Sequence, residues 1–199
     1  MGDLMPPPGP GHNNGPTMEP GTAWRAHCWG RARRELLPRL PIEVVRYRLR
    51  RAAEIGLDYR TYATVRASTG RDIVAFLFST NALRLFREAQ AMEAVRADKL
   101  AAIKGAERRV LAIAPLRPDV LLDAVRSRHG AVLDMAAAAP PLLGTWPQIA
   151  AALSAARPHG TPADAVLLIG DSGAERDWTA AGRLAGYVTS DRFFTALPG

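Results

Sequence analysis

From Ile73 onward the apolar positions fall into short solid blocks, separated by longer stretches in which they recur every three or four residues. The blocks are "IVAFLFS" (73–79), "RVLAIA" (109–114), "AVLDM" (131–135), "AVLLIG" (165–170) and "YVTS" (187–190). Uniformly apolar runs of this length, rich in β-branched and aromatic residues, predict strands covered on both faces. The intervening stretches "NALRLFREAQAMEAVRADKLAAI" (81–103), "RPDVLLDAVRSRHG" (117–130), "TWPQIAAALSAAR" (145–157) and "GAERDWTAAGRLAG" (173–186) predict helices. Five strands alternating with helices define an α/β class: a five-stranded parallel sheet flanked by helices. The alanines 136–139 before Pro140 read as a strand-to-helix connection, and Trp146 and Trp178 fit core faces.

Ahead of this alternation the pattern is purely helical. "PIEVVRYRLRRAAEI" starts with Pro41 and stops at Gly56, with Ile42, Val45, Leu49, Ala52 and Ala53 on one stripe. "LDYRTYATVRAST" follows and ends at Gly70, with Leu57, Tyr62 and Val65 as core contacts. Residues 1–22 are dominated by Pro, Gly and Asn and hold too little apolar surface to offset ordering entropy. The organisation read from the pattern is therefore a disordered tail over 1–22, a basic helical arm over 23–71 and an α/β domain over 72–199.

Charge sharpens the picture of the arm. The chain of 199 residues carries a net +7, and the segment from Trp24 to Arg66, with eleven arginines against Glu35, Glu43, Glu54 and Asp58, accounts for all of it. Arg46, Arg50 and Arg51 fall on the solvent side of the first helix, and with Arg31, Arg33 and Arg34 they make a candidate surface for a polyanion or an acidic partner. Glu43 and Glu54 absorb part of that charge through pairs within the helix. Cys28 is the single cysteine, so no intrachain disulfide and no thiolate metal site follows from it, and His27, Cys28 and Trp29 read as structural. No apolar leader precedes the helices, and the longest apolar region, 131–146, is shorter than the roughly 20 residues a membrane crossing needs. A cytoplasmic protein without a membrane contact is expected.

In a parallel sheet the carboxyl ends of the strands share one edge, so the residues just after them converge. That rule predicts a rim gathering Ser79, Thr80 and Asn81, then Pro115, Asp134, Asp171 with Ser172, and Ser190. Helix amino termini pointing at the same edge favour anions or metal-bridged phosphates there. Asp171 and Ser172 also suit a helix cap, because a short polar side chain satisfies free N–H groups.

The tetrapeptide "GDSG" (170–173) is similar to the nucleophile segment of chymotrypsin-like proteases and to the first block of SGNH esterases. The alternating strands exclude the former, and the latter lacks a later Asp-x-x-His here. "VLLIGDSGAERD" resembles the late acidic motif of haloacid-dehalogenase phosphatases, and "FLFSTN" resembles their Ser/Thr motif, while their Asp-x-Asp nucleophile motif has no match. From Ile73 to Leu197 the order and spacing resemble the receiver domain of response regulators. "DVLLDAVRSRHGAVLDM" is similar to the segment leading to the phospho-acceptor, which implies that role for Asp134. "AGRLAGYVTSDRFFTAL" is similar to the closing segment. The resemblance implies a flavodoxin- or receiver-like sheet, but Ser79 and Thr80 stand at its acidic metal pair and Ser190 at its lysine, and each lost electrostatic contact on a phosphoryl group removes about 3 kcal/mol of transition-state stabilisation.

The expected function is a non-catalytic regulatory or interaction module, without cofactor, binding a protein partner or small anion at the rim. The alternatives are a Mg²⁺-dependent phosphate-handling enzyme using Asp134 and Asp171, and nucleic-acid binding by the arginine-rich arm.

Overall fold

The computed structural model describes residues 40–195. Two helices come first, α1 (Ile42–Glu54) and α2 (Tyr59–Thr69), followed by the central strand β1 (Ala75–Ser79). Then follow α3 (Ala94–Ala102), β2 (Glu107–Ala112), α4 (Pro118–His129), β3 (Met135–Ala138) and α5 (Trp146–Ala156). A short 3₁₀ turn (Ala163–Ala165) leads into β4 (Val166–Gly170), α6 (Gly173–Ala181), β5 (Gly186–Thr189) and α7 (Ser190–Thr195). All strand pairs are parallel, in the order β3-β2-β1-β4-β5.

The solid apolar blocks are explained by two cores, one on each face of the sheet. Phe76, Phe78, Val110, Leu167 and Ile169 point to one side, where Tyr62, Leu100, Leu121 and Phe193 cover them. Leu77, Leu111, Val166 and Leu168 point to the other, against Ile149, Leu153 and Trp178. With period-two alternation and both faces covered, every residue of β1 and β4 is buried.

The strand order decides where the sheet can bind something. Flavodoxin and receiver sheets run 2-1-3-4-5, whereas here the chain steps outward from β1 through β2 to β3 and then returns to place β4 on the other side of β1. The topological switch point therefore lies between β1 and β4.

Four local expectations are corrected. The third strand is Met135–Ala138 rather than 131–135, so the alanines form the strand itself. Val132 and Leu133 are buried in the turn before it, and the Asp134 N–H donates to Arg108 O at 2.8 Å, where β2 begins. Packing against β2 overrides the low strand propensity of alanine. The helix expected over 81–103 forms only from Ala94; residues 80–93 make a looped segment that buries Ala82, Leu83 and Leu85 and holds Arg84 at φ 56°. Trp146 stands at the exposed start of α5, whereas Trp178 is buried.

The fourth correction concerns the basic arm, which is no separate appendage from Ile42 onward. Ala52, Ile55, Leu57, Tyr62 and Val65 belong to the same core as Phe76 and Phe78. The outer half of the expected stripe is solvent-facing, with Ile42 61% and Leu49 43% exposed. Arg51 turns inward rather than outward. Its guanidinium bonds Asp72 Oδ2 (2.9 Å), Ile73 O (3.0 Å), Lys104 O (3.2 Å) and Gly105 O (2.9 Å), tying α1 to the entries of β1 and β2. The 1–22 tail, Cys28 and the candidates Arg31, Arg33 and Arg34 lie outside the described residues.

Candidate functional site

At the switch point the end of β1 and the end of β4 lie side by side, because Phe78 is in register with Ile169. Ser79 is fully buried and its Oγ accepts the Ala82 N–H at 3.0 Å, closing the turn that leaves the strand. Thr80, also buried, accepts the Ile113 N–H through Oγ1 at 3.2 Å and so ties the end of β1 to the end of β2. Neither hydroxyl is presented to a ligand.

Asn81 reaches across the switch, donating from Nδ2 to Glu175 Oε1 at 3.0 Å. Glu175 is fully buried, and its other oxygen accepts the N–H groups of Asp171 and of Ser172, the latter at 2.9 Å. Ser172 caps α6 and accepts the Glu175 N–H at 3.3 Å, completing a reciprocal capping box. A buried carboxylate is stable here because three donors surround it at the positive end of a helix. Gly170 is required by the crowding: a Cβ there would stand 2.7 Å from Glu175 Oε2 and 2.7 Å from Tyr187 Cε2. Tyr187 donates its hydroxyl to Ser172 O at 3.1 Å. Burial, with the Glu175 charge next in weight, holds its phenol above the ordinary range.

Asp171 faces outward from this buried layer, and Arg84 meets it. The guanidinium lies 3.1 Å from Asp171 Oδ2 and 3.7 Å from Asp191 Oδ1, bridging the exits of β4 and β5. Beneath it Arg96, 7% exposed, donates to Ala82 O (2.7 Å) and to Ser190 Oγ (2.9 Å), while Ser190 donates to the same carbonyl at 2.9 Å. Of the rim candidates, Asn81, Asp171 and Ser172 thus gather around Glu175, Ser79 and Ser190 both bond the backbone of Ala82, and Thr80 bonds separately to Ile113.

Asp134 does not join them. It precedes β3, at the opposite end of the sheet, and accepts from Arg108: N–H to Oδ2 at 2.7 Å, Nε to Oδ2 at 3.1 Å and Nη2 to Oδ1 at 2.9 Å. Partial burial pushes this carboxyl up, but the Arg108 bonds and charge outweigh it and leave the group below the usual carboxylate range. The misplacement follows from the shifted third strand: a residue expected after the strand stands before it. A two-carboxylate centre of Asp134 and Asp171 is excluded by this geometry.

The rim does not fit Mg²⁺ either. A hard dication needs several free oxygen ligands, and here Glu175 accepts three N–H donors while Asp171 is held by a guanidinium. Arg84, Arg96 and Glu175 are absent from the residues chosen on sequence grounds. Only Glu175 carried a readable signal, the Ser-x-x-Glu spacing from Ser172. Comparison with family models, with curated proteins and with solved structures finds no match to the chain.

Among the described residues, no helix is long and apolar enough to cross a membrane. Of the basic candidates in the described part, Arg46 is exposed and paired with Glu43 at 2.9 Å, Arg50 is exposed, and Arg51 is committed internally.

Proposed function

We propose that the chain is a non-catalytic interaction module whose carboxyl-end rim recognises a protein partner. The observation that carries this reading is the internal commitment of the switch-point carboxylates. Arg84 supplies the positive charge beside Asp171 and Asp191, and the start of α6 is filled by Glu175. A free anion would compete with a carboxylate fixed in place, and the carboxylates that a phosphoryl-transfer centre would use are engaged by Arg84 and by N–H donors.

Loops at this end of the sheet carry bulky apolar side chains outward. Phe86 is 57% exposed after β1, and Leu142, Leu143 and Trp146 are 61%, 101% and 62% exposed after β3. Aromatic and aliphatic groups beside arginine are the composition of protein-binding surfaces. The direct test installs a photo-crosslinking residue at Phe86, at Leu143 and, as a control, at Val74 on the opposite edge in the full-length protein. One common partner crosslinked from Phe86 and Leu143, and not from Val74, supports the reading. Turnover of p-nitrophenyl phosphate with Mg²⁺ that Asp171→Asn abolishes would replace it with an enzyme.

A further inference from the structure

β5 is the outermost strand on its side of the sheet among the described residues, and a cleft of about 560 Å³ opens between it and α2. Clefts that hold ligands span about 300–1,000 Å³, so this one accommodates a few residues of extended chain. One wall is the strand from Ala185 to Val188, and the other is the side of α2 that carries Arg60, Thr61, Thr64, Val65 and Ser68. The two walls run antiparallel: Val65 approaches Gly186, while Asp58 at the start of α2 lies 3.7 Å from Arg192 just past β5.

The strand edge itself is competent to pair. The Ala185 N–H donates inward to Val166 O at 2.9 Å, so the alternation of a parallel ladder turns the N–H groups of Gly186 and Val188 away from β4, to the open edge of the sheet beside the cleft. An outward row of this kind is the template used in strand addition, where main-chain bonds supply affinity and side-chain pockets supply selection.

We propose that this cleft docks an extended, acidic segment of a partner protein, which adds to β5 as a further strand with its carboxylates against Arg60 and Arg192. The charge of the walls selects that occupant. Arg60 is exposed, and Arg192 keeps 54% of its side chain exposed. Asp58 divides its charge between Arg192 and the cap of α2, where it accepts from the Thr61 N–H at 2.8 Å and from the Thr61 hydroxyl, so Arg192 is only partly neutralised. A second copy paired edge to edge would oppose arginines to arginines. The chain's own leading segment carries Arg25, Arg31, Arg33, Arg34 and Arg39, the wrong sign for these walls. This surface is independent of the rim around Arg84.

The test titrates the full-length protein with a capped octapeptide alternating glutamate and valine, read by amide NMR. Saturable shifts centred on Gly186, Val188 and Thr64–Ser68 are expected. Arg60→Glu and Arg192→Glu should each weaken binding about threefold or more, the scale of an exposed ion pair. Thr64→Trp, on the exposed side of α2, should block the cleft without disturbing the core, and a peptide N-methylated at alternate residues should not bind. Equal binding of a capped octapeptide alternating lysine and valine, shifts away from β5, retained binding of the N-methylated peptide, an absence of shifts, or a concentration-dependent dimer that protects the β5 amides would each overturn the proposal.

Discussion

Arg84, held at φ 56° in the turn after β1, places its guanidinium 3.1 Å from the Asp171 carboxylate at the exit of β4. The pair joins the two strands that flank the switch point, and both partners are partly solvent-exposed.

Replacing Arg84 by alanine removes the counter-charge that Asp171 and Asp191 share. A loss of about 0.5–1 kcal/mol is expected, the scale of an exposed ion pair, because alanine keeps its Cβ and with it the left-handed backbone strain of the turn. The double variant Arg84→Ala/Asp171→Asn should recover part of it, and chemical denaturation through the full cycle measures the coupling.

Glu175→Gln puts an amide donor where three N–H groups already converge. Losing acceptor capacity at a buried site costs about 2–4 kcal/mol, and at roughly 2–4 °C per kcal/mol for a chain of this size the melting temperature should fall by about 5–15 °C. A thermal scan showing no change would mean the buried carboxylate is not what secures α6.

Arg51→Met removes the clamp on Asp72 and on three backbone carbonyls. About 2–3 kcal/mol of stability should disappear, because the acceptors stay partly buried without donors. Arg51→Lys should recover little, since an ammonium cannot reproduce the planar fork. Urea unfolding of both variants checks the order.

Two limits on stability with pH follow. Tyr62 is fully buried; burial first, then its hydrogen bond and repulsion from Asp72, push its phenol from 10.0 up to about 12. Because the folded value is the higher one, its contribution is complete below about pH 10 and is lost as pH rises toward about 12. Asp58 and Asp134 behave in the opposite sense. Burial raises both, but bonds from Thr61 with the charge of Arg192, and from Arg108, hold them below the ordinary value. Their contribution is present above roughly pH 4 and fades as pH falls through the lower folded values. Urea midpoints measured across pH should show both limbs, the upper one missing in Tyr62→Phe and the lower one reduced in Asp134→Asn.

The sheet was legible where burial forces composition. β1 and β4, covered on both faces, contain little but apolar residues, and no other element tolerates that. β3 lies at the sheet's edge, with exposed or half-buried positions throughout, so its alanines carry no strand signature and the bulkier Val132 and Leu133 attract the assignment. Asp134 was misplaced for that reason alone. Arg84 had no legible role at all, since its value depends on a turn that interrupts an otherwise helical spacing and on two carboxylates that only the folded sheet brings near. Arg51 sits among exposed arginines in sequence, and only the third dimension separates it from them.

The side chain of Glu175 has a wider consequence for how such a fold can change. It behaves as a tethered stand-in for a ligand, seated where related geometries admit phosphate, and its local concentration is set by the covalent chain rather than by the cell. A cradle occupied in this way has no vacant N–H groups to offer a second anion unless the side chain first leaves. A single exchange of that glutamate for a shorter neutral residue would open the cradle, at a cost in rigidity that selection or engineering would have to recover elsewhere.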